Sequence, residues 1–204
     1  MKKLIVFLLL SFVFFSFRNY SVNSLSEKER KLAVKQLKQS RSDLHRDVNY
    51  LTENQLKYKP DSTRWSVYEC MQHITLAKNG LWQMFIAAMK EPADPSKKAD
   101  VKVTDEELLG MIIDRSKKAQ APEPFRPEKS TFTSSAQVLE SFDAQMENMV
   151  KYINKTEEDL RNRFIKMPFG TIDAYQLILM IAAHNQRHIK QIEEVMADPK
   201  FPKG

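Results

Sequence analysis

The chain has 204 residues, 42% of them hydrophobic, which is enough for one domain with a real core. Its formal charge is +6, but Lys2, Lys3 and Arg18 supply three of those charges and residues 1–24 contain no acid, which leaves +3 for the rest. The remaining charges are mixed in sign rather than clustered, which argues against a surface that follows nucleic-acid phosphates. We therefore predict no nucleic-acid partner.

The N-terminus has the layout of a secretory signal peptide. Lys2 and Lys3 precede an apolar stretch over residues 4–17, and the sequence turns polar at Arg18. The stretch is shorter than the ~20 residues that a membrane-spanning helix needs. We predict a signal peptide over residues 1–24 and an exported domain over residues 25–204, periplasmic or extracellular, with no stable membrane span after cleavage. The alternative is an uncleaved N-terminal membrane anchor.

Long stretches of helical periodicity and only four glycines predict an all-α fold. Four main helices are expected, over residues 26–51, 66–89, 134–160 and 171–196. One shorter helix, over residues 104–118, is expected between the second and third of them. Prolines at 122, 124 and 127 indicate an extended crossover before the third main helix. No stretch alternates convincingly enough to be a buried strand. The prediction is a four-helix bundle with a long crossover that contains a short extra helix.

Capping residues mark four predicted helix starts, among them Thr104 with Glu107 and Ser134 with Gln137. Ser66 and Glu69 have the spacing of a capping box, in which hydroxyl and carboxylate bind free backbone amides. Thr171 is the predicted N-cap of the last helix, with Asp173 in its favourable first turn.

Three of the four histidines are placed to suit a metal ion. His184 and His188 are four residues apart, so they share one face of the last helix. That face begins with apolar residues, which predicts that the imidazoles are buried and need a partner. His73, on the second helix, would complete a three-histidine site with an open position for water or substrate. The alternative is that His184 and His188 are ordinary half-exposed polar residues.

Other residues narrow the choice of chemistry. Asn185 follows the first histidine of the pair, where a zincin peptidase has glutamate, so that class is disfavoured. Cys70 is the only cysteine and is more typical of a small core residue than of a nucleophile. His45 is interpreted as a solvated surface histidine.

Two segments resemble the DinB-like family. Residues 65–74, Trp-Ser-Val-Tyr-Glu-Cys-Met-Gln-His-Ile, are similar to its second-helix signature, in which tryptophan and serine precede a histidine. Residues 183–192, Ala-His-Asn-Gln-Arg-His-Ile-Lys-Gln-Ile, resemble its H-x-x-x-H-x-x-Q-I ending. The resemblance covers about residues 26–196 and implies a four-helix bundle. It also implies that His73, His184 and His188 bind a divalent metal ion, with zinc or nickel expected.

The resemblance implies metal-dependent hydrolases and thiol S-transferases as candidate activities. We predict an exported hydrolase whose three-histidine metal site activates water toward a small-molecule substrate. The alternatives are a non-catalytic metal- or ligand-binding envelope protein and a thiol S-transferase-like enzyme. Export disfavours the last of these, because an exported protein meets little low-molecular-weight thiol. A homodimer is also expected.

Three neighbours of the histidines have two interpretations each. Glu69 is a candidate general base one helical turn before His73, or only the partner of the helix cap. Gln191 either orients His188 from behind or is a solvated polar residue. Trp65 either packs at the end of the bundle or covers the metal site.

Overall fold

The structure, a computed structural model, describes residues 24–116 and 120–203. It contains six α-helices and one β-hairpin: α1 (Glu27–Val48), α2 (Glu53–Lys57), α3 (Val67–Lys90), α4 (Asp105–Ile113), α5 (Ser135–Lys155), β1 (Phe164–Met167), β2 (Gly170–Asp173) and α6 (Ala174–Met196). Three short 3-10 turns lie in the crossover between α3 and α5: Pro95–Asp100, Glu123–Phe125 and Pro127–Lys129. Residues 1–23 of the predicted signal peptide lie outside the described part. No helix within the described ranges is both long and apolar enough to cross a membrane.

Helices α1, α3, α5 and α6 form a four-helix bundle. Both α5 and α6 pack against α1 and α3, so α5 and α6 lie diagonally across the bundle. The crossover helix α4 covers α6 from outside. Because three helices enclose α6, its first half is buried nearly all round, through residues such as Tyr175, Leu177 and Ile181. The predicted all-α bundle with a helix in its long crossover is confirmed.

The expectation of no strand is wrong at residues 164–173. Strands β1 and β2 pair antiparallel, with Ile165 opposite Ile172, and both isoleucines are buried. Each strand has four residues, which is too short for alternation to stand out from the sequence. The turn between them ends at Gly170, whose φ of 138° is a conformation that favours glycine.

The hairpin also corrects the start of the last helix. Thr171 lies in β2, and the N-cap is Asp173, whose carboxylate accepts a hydrogen bond from the Gln176 amide at 2.7 Å. The Gln176 side chain in turn accepts from the Asp173 amide, which completes a capping box. The helix starts later than predicted because β2 keeps the chain extended as far as Asp173, opposite Phe164.

The remaining helix bounds differ from prediction by a few residues. Helix α1 ends at Val48 rather than 51, α4 at Ile113 rather than 118, and α5 at Lys155 rather than 160. Helix α2, with Thr52 as its N-cap, was not predicted. At five residues it is too short to show periodicity.

Candidate metal centre

Helices α3 and α6 bring the three predicted ligands together. His73 comes from the first half of α3, and His184 and His188 come from the middle of α6. One potential ligand nitrogen from each imidazole lies within 4.8 Å of the others. Within residues 24–116 and 120–203, this is the one group of three or more such side chains that could hold a metal ion.

The hydrogen bonds of two imidazoles determine where their lone pairs point. Nδ1 of His73 lies 2.7 Å from the Phe125 carbonyl oxygen, and Nδ1 of His188 lies 2.9 Å from Oε1 of Gln191. Both partners are oxygens that only accept, so each Nδ1 carries the proton and each Nε2 keeps its lone pair. The two imidazoles therefore present Nε2 to the interior of the group.

The spacing of these nitrogens fits a bound cation. The Nε2 atoms of His73 and His188 are 3.1 Å apart. Two lone pairs that face each other at this distance repel unless a cation or a shared proton lies between them. Two nitrogens on one tetrahedral zinc ion are about 3.3 Å apart, as follows from zinc–nitrogen bonds of about 2.0–2.1 Å.

His184 completes the group, and one of its ring nitrogens has no hydrogen-bond partner. Its Nδ1 is buried and has no hydrogen-bond partner. Its ring centroid lies 5.2 Å from that of His73 and 4.6 Å from that of His188. His184 as a whole is half-buried, but its Nδ1 is buried and a buried polar atom without a partner is costly, which favours a histidine that binds a ligand.

All three imidazoles are held in the form that binds metal. Burial lowers the pKa of His73, and it lowers the pKa of His184 to about 3, with smaller effects from His73 and Arg187. Burial, followed by the neighbouring histidines, holds the pKa of His188 well below its usual range. The imidazoles are therefore neutral near pH 7, as metal ligation requires.

Trp65 lies over the histidines. Its ring centroid is 4.8 Å from that of His73 and 6.1 Å from that of His188. It directly precedes Ser66, the N-cap of α3, so the helix start fixes the place of the indole. Trp65 therefore lies beside the histidines, as one of its two interpretations predicted, and it also packs against the hydrophobic core.

Gln191 supports His188 from behind, as one of its two interpretations predicted. Its Oε1 also accepts a hydrogen bond from Arg115 Nη1 at 3.3 Å. Arg115 is held in turn by two bonds to the Glu194 carboxylate, at 2.7 and 2.8 Å. Sequence reasoning missed Arg115 and Phe125, because both lie in the crossover and no spacing links them to the histidines.

Comparison with known proteins identifies the family of the chain. The sequence profile of the DinB superfamily matches residues 36–192. The chain belongs to the DinB superfamily. It is 25% identical over 158 residues to the uncharacterized protein YuaE of Bacillus subtilis, with 77% of this chain and 93% of YuaE covered.

The fold of this superfamily member matches a solved structure. YfiT from Bacillus subtilis, described as a probable metal-dependent hydrolase with an unusual four-helix bundle topology, superposes with a TM-score of 0.58. The match covers 85% of this chain and 89% of that one at 15% identity, so it shows a shared fold.

Glu69 takes part in the predicted capping box at the start of α3. Its Oε2 accepts from the Ser66 amide at 2.8 Å, and its Oε1 accepts from Lys59 Nζ at 2.9 Å. Both oxygens of this candidate base are therefore occupied by contacts outside the histidine group. In the part of the chain that the structure describes, no carboxylate joins that group.

Cys70 and His45 lie outside the centre. Cys70 is fully buried in the core, as predicted, and burial raises the pKa of its thiol. His45 is less free than predicted. Its side chain is 28% exposed, and its Nε2 lies 2.8 Å from the Asp143 carboxylate, which Arg41 also contacts.

Cavity size does not identify the metal centre in this DinB-superfamily chain. A cleft of about 480 Å³ opens beside Arg161 and Asp173, at the start of α6, whereas the histidines lie in the middle of that helix. Three carboxylates of this cleft, Glu29, Asp105 and Asp173, bind Arg161, and within the described residues the cleft contains no group of three candidate metal ligands. We assign the site from its donor atoms.

Proposed function

We propose that this protein is an exported hydrolase that depends on a divalent metal ion and acts on a small-molecule substrate. One observation carries the proposal: the Nε2 atoms of His73 and His188 converge at 3.1 Å, and His184 offers a ring nitrogen within 4.8 Å of a nitrogen on each of them. Three neutral imidazoles suit zinc or nickel. The fold shared with YfiT supports the reaction class. The N-terminal sequence pattern supports export.

The metal ion, when bound, would supply Lewis acidity that activates a water molecule or polarises a substrate oxygen. The side chains have separate roles. The Phe125 carbonyl and Gln191 hold the Nδ1 protons, which keeps both Nε2 lone pairs aimed at one point. The Trp65 indole covers His73 and His188 and excludes solvent from that side. Because the ligands are neutral, they leave the charge of the ion undiminished.

The test is turnover by the metal-loaded protein. Residues 25–204, loaded with zinc or nickel, are assayed on a panel of chromogenic ester and amide substrates. We expect hydrolysis that a chelator abolishes and added metal restores. The variant His184→Ala should lose the activity, and His45→Ala, which changes the one histidine outside the group, should keep it. If protein that holds metal hydrolyses none of the substrates, the hydrolase proposal is overturned.

A non-catalytic metal-binding role is the second candidate. It is favoured by Glu69, whose oxygens are committed to Ser66 and Lys59 and so are not positioned as a base. This role predicts that metal binding still requires the histidines, as in the hydrolase proposal, but that no substrate of the panel is hydrolysed.

A further inference from the structure

Gly80 is an unusual residue for the middle of a long helix. It lies in α3, seven residues after His73 and therefore on the same face, two turns along. A glycine inside a helix is less favourable than alanine, so another requirement should explain it. The structure provides that requirement, because a Cβ atom at this position would overlap the ring of Phe125.

Phe125 contacts α3 at two points. Its ring lies against Gly80, where a side chain would otherwise stand. Its carbonyl oxygen accepts the hydrogen bond from Nδ1 of His73 at 2.7 Å. The ring and the carbonyl belong to one residue, so the depth at which the ring sits against Gly80 sets where the carbonyl meets the imidazole.

The local chain makes Phe125 a stiff connector. It ends the 3-10 turn Glu123–Phe125, where its amide donates to the Pro122 carbonyl at 2.9 Å. Pro124 precedes it, and Pro127 follows two residues later and is buried. Prolines fix φ, so the backbone on both sides of Phe125 has little freedom to absorb a displacement of the residue.

We propose that Phe125 is a positioning residue of the metal centre. Gly80, which has no side chain, leaves the space in which the Phe125 ring is held. The crossover thereby orients His73 without contributing a ligand. The inference rests on the proposed metal site for its functional consequence. Groups that orient metal ligands typically change metal affinity by about 10- to 100-fold when they are lost.

The test compares zinc affinity among matched variants, measured by competition with a chromogenic chelator. Gly80→Ala and Phe125→Ala should each weaken binding by about tenfold. In the double variant, Gly80→Ala should cause no further loss, because the ring that it displaces is absent. Gly110→Ala is the control. It also places alanine for glycine in a helix, but its Cβ would meet no atom within 4 Å, so affinity should stay at the wild-type value.

A second measurement follows His73 without metal. Nitrogen NMR of the metal-free protein should show His73 protonated at Nδ1 in the wild type and in Gly110→Ala. In Gly80→Ala and Phe125→Ala the signal should show mixed tautomers or faster exchange. If Gly80→Ala does not fold, Phe125→Ala, which changes a half-buried crossover residue, carries the same test.

The outcomes separate this inference from the proposed function. Unchanged affinity and an unchanged His73 signal in Gly80→Ala and Phe125→Ala would overturn the positioning role. Additive losses in the double variant would overturn it too, because they would show that the two residues act independently. If the wild-type protein binds no zinc, the proposed metal site is wrong. The NMR comparison would still show whether Phe125 and Gly80 position His73.

Discussion

Desolvation of the three imidazoles gives the protein a specific dependence on pH. The pKa of His184 is lowered to about 3, whereas a histidine in the unfolded chain titrates near 6.5. Below pH 6.5 the unfolded state therefore binds more protons than the folded state, and the folded state loses stability as the pH falls from 6.5 toward 3. The loss for one histidine is about 1.4 kcal/mol per pH unit across this window.

Urea unfolding of the metal-free protein at pH 7.5 and 5.5 tests this electrostatic account. The free energy of unfolding should fall between the two pH values in the wild type. In His184→Gln, which is neutral throughout, the fall should be smaller by about 1.4 kcal/mol. An equal fall in both proteins would show that His184 is not held neutral by burial.

Some of the candidate ligands and supporting residues can be predicted from the sequence, and others cannot. His184 and His188 share a helix, so their spacing is visible in the chain, and the resemblance to a family added His73. Gln191 is also on that helix, one turn beyond His188. Phe125 contacts His73 only because the crossover packs against α3, and the spacing of residues in the sequence does not indicate that contact.

Among the structural elements, Arg161 connects three helix starts. From the loop after α5, its guanidinium contacts Glu29 near the start of α1 at 2.8 Å and Asp105 at the start of α4 at 2.6 Å. It also contacts Asp173, the N-cap of α6, at 2.9 Å. Removal of the cation would leave three carboxylates together in a partly buried place.

Arg161→Gln should therefore destabilise the protein strongly, by about 3 kcal/mol. Urea unfolding monitored by circular dichroism measures the change. The control is Lys151→Ala, which removes an ion pair with Glu147 that is more than half exposed on both sides and should cost less than about 0.5 kcal/mol. Similar values for the two variants would contradict the role assigned to Arg161.

Sequence analysis predicted the long elements better than the short ones. Helices α1, α3, α5 and α6 each have more than twenty residues, so their periodicity is repeated several times. The hairpin and α2 are only four or five residues long per element and depend on tertiary packing. The error at the start of α6 has the same origin, because Thr171 resembles a cap until its pairing with Lys166 in β1 is known.

For the whole molecule, the fold explains how the metal centre forms. The four-helix bundle brings α3 beside α6, which joins one histidine to a pair that is far away in the sequence. The crossover then covers the same side, where it supplies the Phe125 carbonyl and Arg115. The bundle and the crossover together therefore position the three histidines of the candidate metal centre.

The most direct test of the metal centre is the metal content of the protein, measured by elemental mass spectrometry. Untagged residues 25–204 are prepared beside the triple variant His73→Ala/His184→Ala/His188→Ala and the single variant His45→Ala. We expect about one divalent ion per chain in the wild type and in His45→Ala, and none in the triple variant. Wild-type protein that holds no metal after incubation with zinc, nickel or manganese would contradict the account.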